Sequence, residues 1–272
     1  MHISPMIEIW GQEFDLSIIL MLIVTCTIVF TVVRLATRNL SVENPGKMQN
    51  FMEWVVEFVQ GMMTSSLDLK KGKPFLSLGV TLILFIFVGN MLGLPFNIVT
   101  EYHDVNKATF MGHTLVSVVD EFNKVQAANP GKEVEVGVTW WKSPTADASV
   151  SMGLAGMIFV LVHFLGITRN TKGYFKHYLQ PFAVFLPINL IEQFSKLLTH
   201  GMRLFGNIFA GEVLIAQLVK LGSTGIIGGI ASIPLLMIWQ GFSIFVGSIQ
   251  AFVFVMLTFL YISQVIETHD EH

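Results

Sequence analysis

The sequence predicts an all-α integral membrane protein of about five transmembrane helices plus an interfacial amphipathic helix, with the last two helices long and steeply tilted. Three observations carry that expectation. Only 13% of the 272 residues are charged and 53% are hydrophobic, against roughly 25% and 45–50% in an average soluble chain. The apolar residues gather into long runs separated by short charged patches, the pattern of several spans rather than one buried core. The final third holds two stretches far longer than the roughly 20 residues that cross a bilayer.

Residues 16–38 form the first expected span, ended by Arg34 and Arg38. Residues 44–67 read differently. Phe51, Val55, Phe58 and Met62 recur at helical spacing, while Glu53, Glu57 and Gln60 line another side. A helix divided that way is expected to lie in the membrane interface, and Lys70, Lys71, Lys73 and Pro74 close it. Residues 75–99 are the second span, with Gly89, Gly93 and Pro95 near its far end. Residues 100–148 are polar, carry both charge signs and contain the turn Asn129-Pro130-Gly131. They are expected to form an ordered external loop with room for some helix, and Trp140-Trp141 fit its return to the interface.

Residues 149–168 are the third span, followed by Arg169, Lys172 and Lys176. His163, alone in that apolar run, reads as a hydrogen-bonded core residue rather than a ligand. Residues 181–220 and 234–265 are the two long helices, joined by the glycine-rich, uncharged segment 221–232. At 1.5 Å per residue, forty residues reach roughly 60 Å, twice the hydrocarbon thickness of roughly 30 Å. Such a helix must tilt, bend or run on into water.

Basic residues fix the expected topology. Arg34, Arg38, Lys47, Lys70, Lys71 and Lys73 fall on one side of the spans, with Arg169, Lys172 and Lys176. The positive-inside rule then puts the acidic N-terminus and loop 100–148 outside and the C-terminus in the cytoplasm. No leader is expected, because the first fifteen residues carry Glu8, Glu13 and Asp15 instead of an opening lysine or arginine. A net charge of −3 without a basic block gives nucleic-acid binding no electrostatic support. The only cysteine is Cys26, in an apolar run, which leaves no intrachain disulfide and no cysteine metal site. No G-x-x-x-x-G-K-[ST] loop occurs, so nucleotide chemistry and a nucleotide cofactor are not expected in this chain.

The first long helix carries the chemistry. Glu192, Lys196, His200, Arg203, Asn207 and Gly211 recur every three or four residues and share one face. Glu212 follows Arg203 by nine residues and points roughly the opposite way. Gln240, Ser243, Gly247 and Gln250 form a small-or-polar stripe on the final helix. Lys196 and Lys220 are read as snorkelling to the interfaces. An arginine at mid-span costs about 2.5–3.5 kcal/mol on insertion scales and cannot discharge by losing its proton. No acid on its own helix is well placed to compensate. A partner carboxylate is therefore expected from another helix or another chain.

The run Met202-Arg203-Leu204-Phe205-Gly206-Asn207-Ile208-Phe209-Ala210-Gly211-Glu212 resembles that of subunit a of the F-type ATP synthases, bacterial type. Gln250-Ala251-Phe252 and, more loosely, Pro144-Thr145-Ala146-Asp147 extend the resemblance, which covers the chain from about residue 15 to its end. It implies a stator channel docked against a ring of c subunits, with b-subunit stalk and other ATP synthase subunits as further partners, in a bacterial plasma membrane. It implies no cofactor. Arg203 would face the ring carboxylate and separate two offset half-channels, Glu212 would relay protons, and Asn207 and Gln250 would support them by hydrogen bonds. Some members carry a histidine shortly before the final-helix glutamine, where this chain offers Ser243. Some carry an acid near the end of the second span, where this chain has Gly93. A secondary ion or solute transporter is the competing class, although no internal repeat is visible.

Overall fold

In the computed structural model, residues 2–93, 99–104, 108–110, 112–128, 134–178 and 182–267 are described. Pro95, the turn at 129–131, Pro181 and the tail beyond 267 lie outside them. Five helices are long and apolar enough to cross a membrane, as expected.

α1 (Leu16–Thr37) starts on Asp15, whose carboxylate accepts from the backbone N–H groups of Ser17 at 2.9 Å and Ile18 at 3.3 Å. That cap satisfies two of the donors a helix N-terminus leaves open. α2 (Lys47–Thr64) is apolar on two faces. Met52, Val55, Val59, Met62 and Met63 are buried, at helical spacing. Phe51, Trp54 and Phe58 are exposed, and the last two stack at 5.8 Å. The expected apolar side is thus divided: Val55 and Met62 turn into the bundle, Phe51 and Phe58 away from it. The exposed aromatic face suits a helix lying in an interface.

A short α3 (Leu69–Gly72) and a turn at Lys73–Phe75 lead into α4 (Leu76–Leu92). Proline at the second position of that turn needs no hydrogen-bond donor, so the chain changes direction there without loss. α6 (Ala148–Tyr178) runs well past its apolar part and carries Arg169, Lys172 and Lys176 on helix. α7 (Leu186–Gly222) and α8 (Ile226–Glu267) are the two long helices. Their connection is shorter than the glycine content of 221–232 suggested. Only residues 223–225 are non-helical, Gly225 taking a φ of 135°, and Pro234 lies inside α8.

α8 packs against α7, α4 and α6, and α7 against α6. The shared core includes Val59 and Met63 of α2, Ile86 of α4, Ile158 of α6, Leu204 of α7, and Phe254 and Phe259 of α8. Two glycines set the helix spacing. A Cβ on Gly79 would lie 2.3 Å from the Phe259 ring, and one on Gly201 would lie 2.4 Å from Met152 Sδ. Small residues at such contacts let apolar helices approach closely where no hydrophobic drive brings them together.

The segment expected as a loop folds into a cap. β1 (His2–Ile3), β7 (Val136–Thr139) and β4 (Val99–Tyr102) form a sheet in that order, with β1 parallel to β7. β2 (Met6–Ile9) and β3 (Gln12–Asp15) form a hairpin. Its two-residue turn, Trp10-Gly11, has positive φ at both positions, the geometry that matches strand twist. A second hairpin pairs β5 (Thr109–Phe110) with β6 (His113–Thr114). α5 (Val116–Ala128) packs on these strands over Ile7, Leu115, Val118, Val136 and Val138. Residues 2–15 and the described part of 99–142 therefore lie on the same side of the bundle.

Candidate functional site

The sequence stripe separates into two sides of α7. Arg203 is exposed, and among the described residues it makes no ion pair. One turn on, Asn207 Nδ2 donates to Gln250 Oε1 of α8 at 2.8 Å. The two amides thus satisfy one another across the α7–α8 seam beside the arginine. Lys196 pairs with Glu192 one turn earlier at 3.0 Å. Glu192 is thereby engaged and is not Arg203's partner.

Glu212 sits on the other side, and its partner is not a side chain of α8. The backbone N–H of Ser143, in the segment entering α6, donates to Glu212 Oε1 at 2.9 Å. Ser143 Oγ lies 3.0 Å from Gly89 O and within hydrogen-bond distance of Thr145 Oγ1, and its single proton goes to one of these two acceptors at a time. Thr145 Oγ1 in turn donates to Asn90 Oδ1, and Asn90 Nδ2 donates to Gly247 O at 2.9 Å. A continuous hydrogen-bonded chain therefore links the α7 carboxylate to α4 and α8. Asn90, Ser143 and Thr145 are almost completely buried, which is tolerable in an apolar bundle because each is bonded.

The local geometry explains how the 143–145 segment gets so close. A Cβ on Gly93 would lie 2.6 Å from Ser143 N, and one on Gly89 would lie 3.2 Å from Pro144 Cγ. The glycines near the end of the second span are thus seats for the loop that holds Glu212. Lys142, one residue earlier, donates to Ser4 Oγ at 2.8 Å and pairs with Asp15 at 2.7 Å. Trp141 Nε1 donates to Leu92 O at 2.7 Å. Both anchor the segment to the bundle's end.

Ser243 belongs to neither group. It is buried, its Oγ has no hydrogen-bond partner among the described residues, and it lies over Gly211. Nearby, Trp239 Nε1 donates to Gly211 O at 3.3 Å. His163 Nδ1 is hydrogen-bonded with Phe159 O at 2.9 Å, a core histidine as expected. Among the described residues no cluster of histidine, cysteine or acidic groups could hold a metal ion.

Of the sequence candidates Arg203, Asn207, Gln250, Ser243 and Glu212, the structure brings Asn207 to Gln250 and sets Glu212 against Ser143; the contacts of Ser143, Asn90 and Lys142 were not anticipated from the sequence. Asn90, within the second span, was the available signal, since intramembrane polar groups face partners.

Residues 18–263 match the family model described as the ATP synthase A chain. The chain is 45% identical over 264 residues to the ATP synthase subunit a of Priestia megaterium, covering 96% of each. It is 46% identical over 277 residues to that of Macrococcus caseolyticus, covering 100% of this chain and 99% of the relative. With that of Bacillus subtilis it shares 43% over 273 residues, or 97% of each.

Proposed function

The chain belongs to the ATP synthase A chain family, and from that membership we propose that its bundle is the stator proton channel of a rotary ATP synthase's membrane sector. It works with the other ATP synthase subunits. A ring of c subunits faces Arg203, and the b-subunit stalk holds the bundle still against it. The chain lies in a bacterial plasma membrane with its N-terminus outside and its C-terminus in the cytoplasm. The common side of residues 2–15 and 99–142 supports that layout, together with the basic residues of the segments opposite. A solute-transporter reading has no support beside the family match.

The single observation that carries the assignment is the exposed Arg203, which makes no ion pair among the described residues. A fixed guanidinium on an apolar helix face favours the ionised form of any carboxylate that comes to it. A ring site arriving there gives up its proton instead of carrying it past. The same charge repels a proton attempting to cross directly between the two half-channels. Arg203 acts by its field and never itself carries the proton, since guanidinium does not titrate in this range.

The remaining residues take supporting parts. Glu212, held by Ser143 near the cap, accepts and releases protons between the outer aqueous space and the ring. Asn207 and Gln250, bonded to one another, fix the α7–α8 seam beside the arginine. Ser243, whose hydroxyl has no hydrogen-bond partner among the described residues, offers water a hydrogen bond beside Gly211.

Replacing Arg203 by alanine tests this. The complex is expected to assemble and its membrane sector to remain in the membrane, with coupled ATP synthesis and ATP-driven proton pumping both lost. Retained pumping in vesicles carrying R203A would sink the assignment.

A further inference from the structure

His200 lies on the arginine face, and the channel reading gives it no part. It lies three residues before Arg203, toward the start of α7, and its side chain is almost wholly buried, with 3% of the residue exposed. Its ring stacks on Phe254 at 3.9 Å and meets the edge of Tyr261 at 5.5 Å, both on α8. Its Nε2 has no hydrogen-bond partner among the described residues. The contrast with His163 is direct, because that ring satisfies a nitrogen on a carbonyl of its own helix. A buried polar atom left unbonded costs about 1–3 kcal/mol, and such an atom calls for a functional or solvent explanation.

Its surroundings narrow the explanation. On α7, Arg203 follows it, while Lys196 before it is engaged by Glu192. On α8, Tyr261 is the titratable neighbour. α6 brings Met152 and Ala155 to the adjacent Gly201, both without titratable groups. No carboxylate forms an ion pair with His200 among the described residues. The imidazole is therefore not half of a structural ion pair. It is a titratable ring set between an aromatic wall and the arginine, and a ring nitrogen can take up and release a proton.

We propose that His200 is a proton-transfer station on the cytoplasmic side of Arg203, its Nε2 exchanging protons with water that passes between the ring and the cytoplasm. This rests on the channel reading above, and adds a titrating residue to the inner path. In the synthesis direction Nε2 takes a proton delivered through that water, forming an N–H bond and an imidazolium. A ring N–H then breaks as its proton passes to water on the cytoplasmic side, restoring the neutral ring. Phe254 and Tyr261 hold the ring in place and are positioning residues.

The test uses the complete ATP synthase in inverted vesicles, where the cytoplasmic face meets the bath and ATP-driven acidification is followed as bath pH is varied. H200Q and H200F are compared with wild type. Phenylalanine keeps the aromatic stack on Phe254, so H200F guards against a packing defect. Both are expected in the membrane at normal levels, pumping several-fold more slowly and without the part of the wild-type pH profile that His200 supplies. H200A is expected to recover part of its rate when imidazole is added. A wild-type rate and pH profile in H200F would overturn the inference while leaving the channel reading intact. Wild-type vesicles that fail to acidify would overturn both.

Discussion

The backbone N–H of Ser143 holds the Glu212 carboxylate at 2.9 Å, so the segment entering α6 positions a charge on α7. The donor belongs to the main chain and is indifferent to the side chain at 143. It depends instead on how closely that segment lies against α4.

Glu212→Gln separates holding from titrating. The amide oxygen still accepts from Ser143, so the subunit is expected to assemble. It cannot take up a proton, and loss of a positioned acid–base group slows transfer by on the order of 10²-fold. Proton flux measured in vesicles across pH is the check. A flux equal to wild type at every pH would remove Glu212 from the path.

Gly93→Ala acts on the same contact from behind. Its new methyl would meet Ser143 N at 2.6 Å and Cα at 2.8 Å, and overpacking of this kind costs about 1–3 kcal/mol. Displacement of Ser143 is expected to lower both thermal stability and proton flux. Gly61→Ala is the control, with nothing within 4 Å of the added carbon. Equal behaviour of the two variants would show that the close seat does not matter.

Asn207 and Gln250 form one interaction across α7 and α8. A double-mutant cycle with alanine at each, read from unfolding of the purified complex, is expected to give a coupling of about 0.6 kcal/mol, the average for interhelical hydrogen bonds in membranes. Additive effects would mean that the bond contributes nothing measurable.

Asp15 gives the cap a pH dependence. Burial pushes its carboxyl up, but the Lys142 ammonium beside it more than offsets that, aided by hydrogen bonds from Lys142, Ser17 and Ile18, and the group ends below its ordinary value of 3.8. A depressed acid stabilises the folded state above its unfolded value, and that contribution fades as pH falls through the folded one. The protection of residues 2–15 against hydrogen exchange, taken relative to the intrinsic rate at each pH, is therefore expected to fall as the pH drops below the ordinary value. Asp15→Asn should show faster exchange already at neutral pH. Protection that is flat with pH in wild type would refute the role.

The spans and the arginine face were legible because hydrophobic length and helical spacing are local properties. Arg203, Asn207 and Glu212 divide by angle alone, and Asn207 meets Gln250 as two amides on facing helices do. What stayed hidden depends on contacts between distant segments. Val99–Tyr102 and Val136–Thr139 are too short and too polar in context to read as strands, and they pair only with each other and with residues 2–3. Ser143 could not be tied to Glu212 from spacing, since a backbone donor leaves no mark in the sequence. The start of α8 was missed because Gly225, Gly228 and Gly229 weaken a helix locally, while packing against α7 carries it through.

His2 pairs with Gly137 in a parallel register, and that pairing sets an order on biogenesis. Residues 2–3 are made before that partner strand and cannot complete their fold when they emerge. Their partner strand, Val136–Thr139, is made only after α1, α2 and α4. Until then Asp15 caps its helix without Lys142, and the hairpin at Trp10-Gly11 has nothing to pack on. Closing so long a loop is slow, so the cap matures after the spans that it covers.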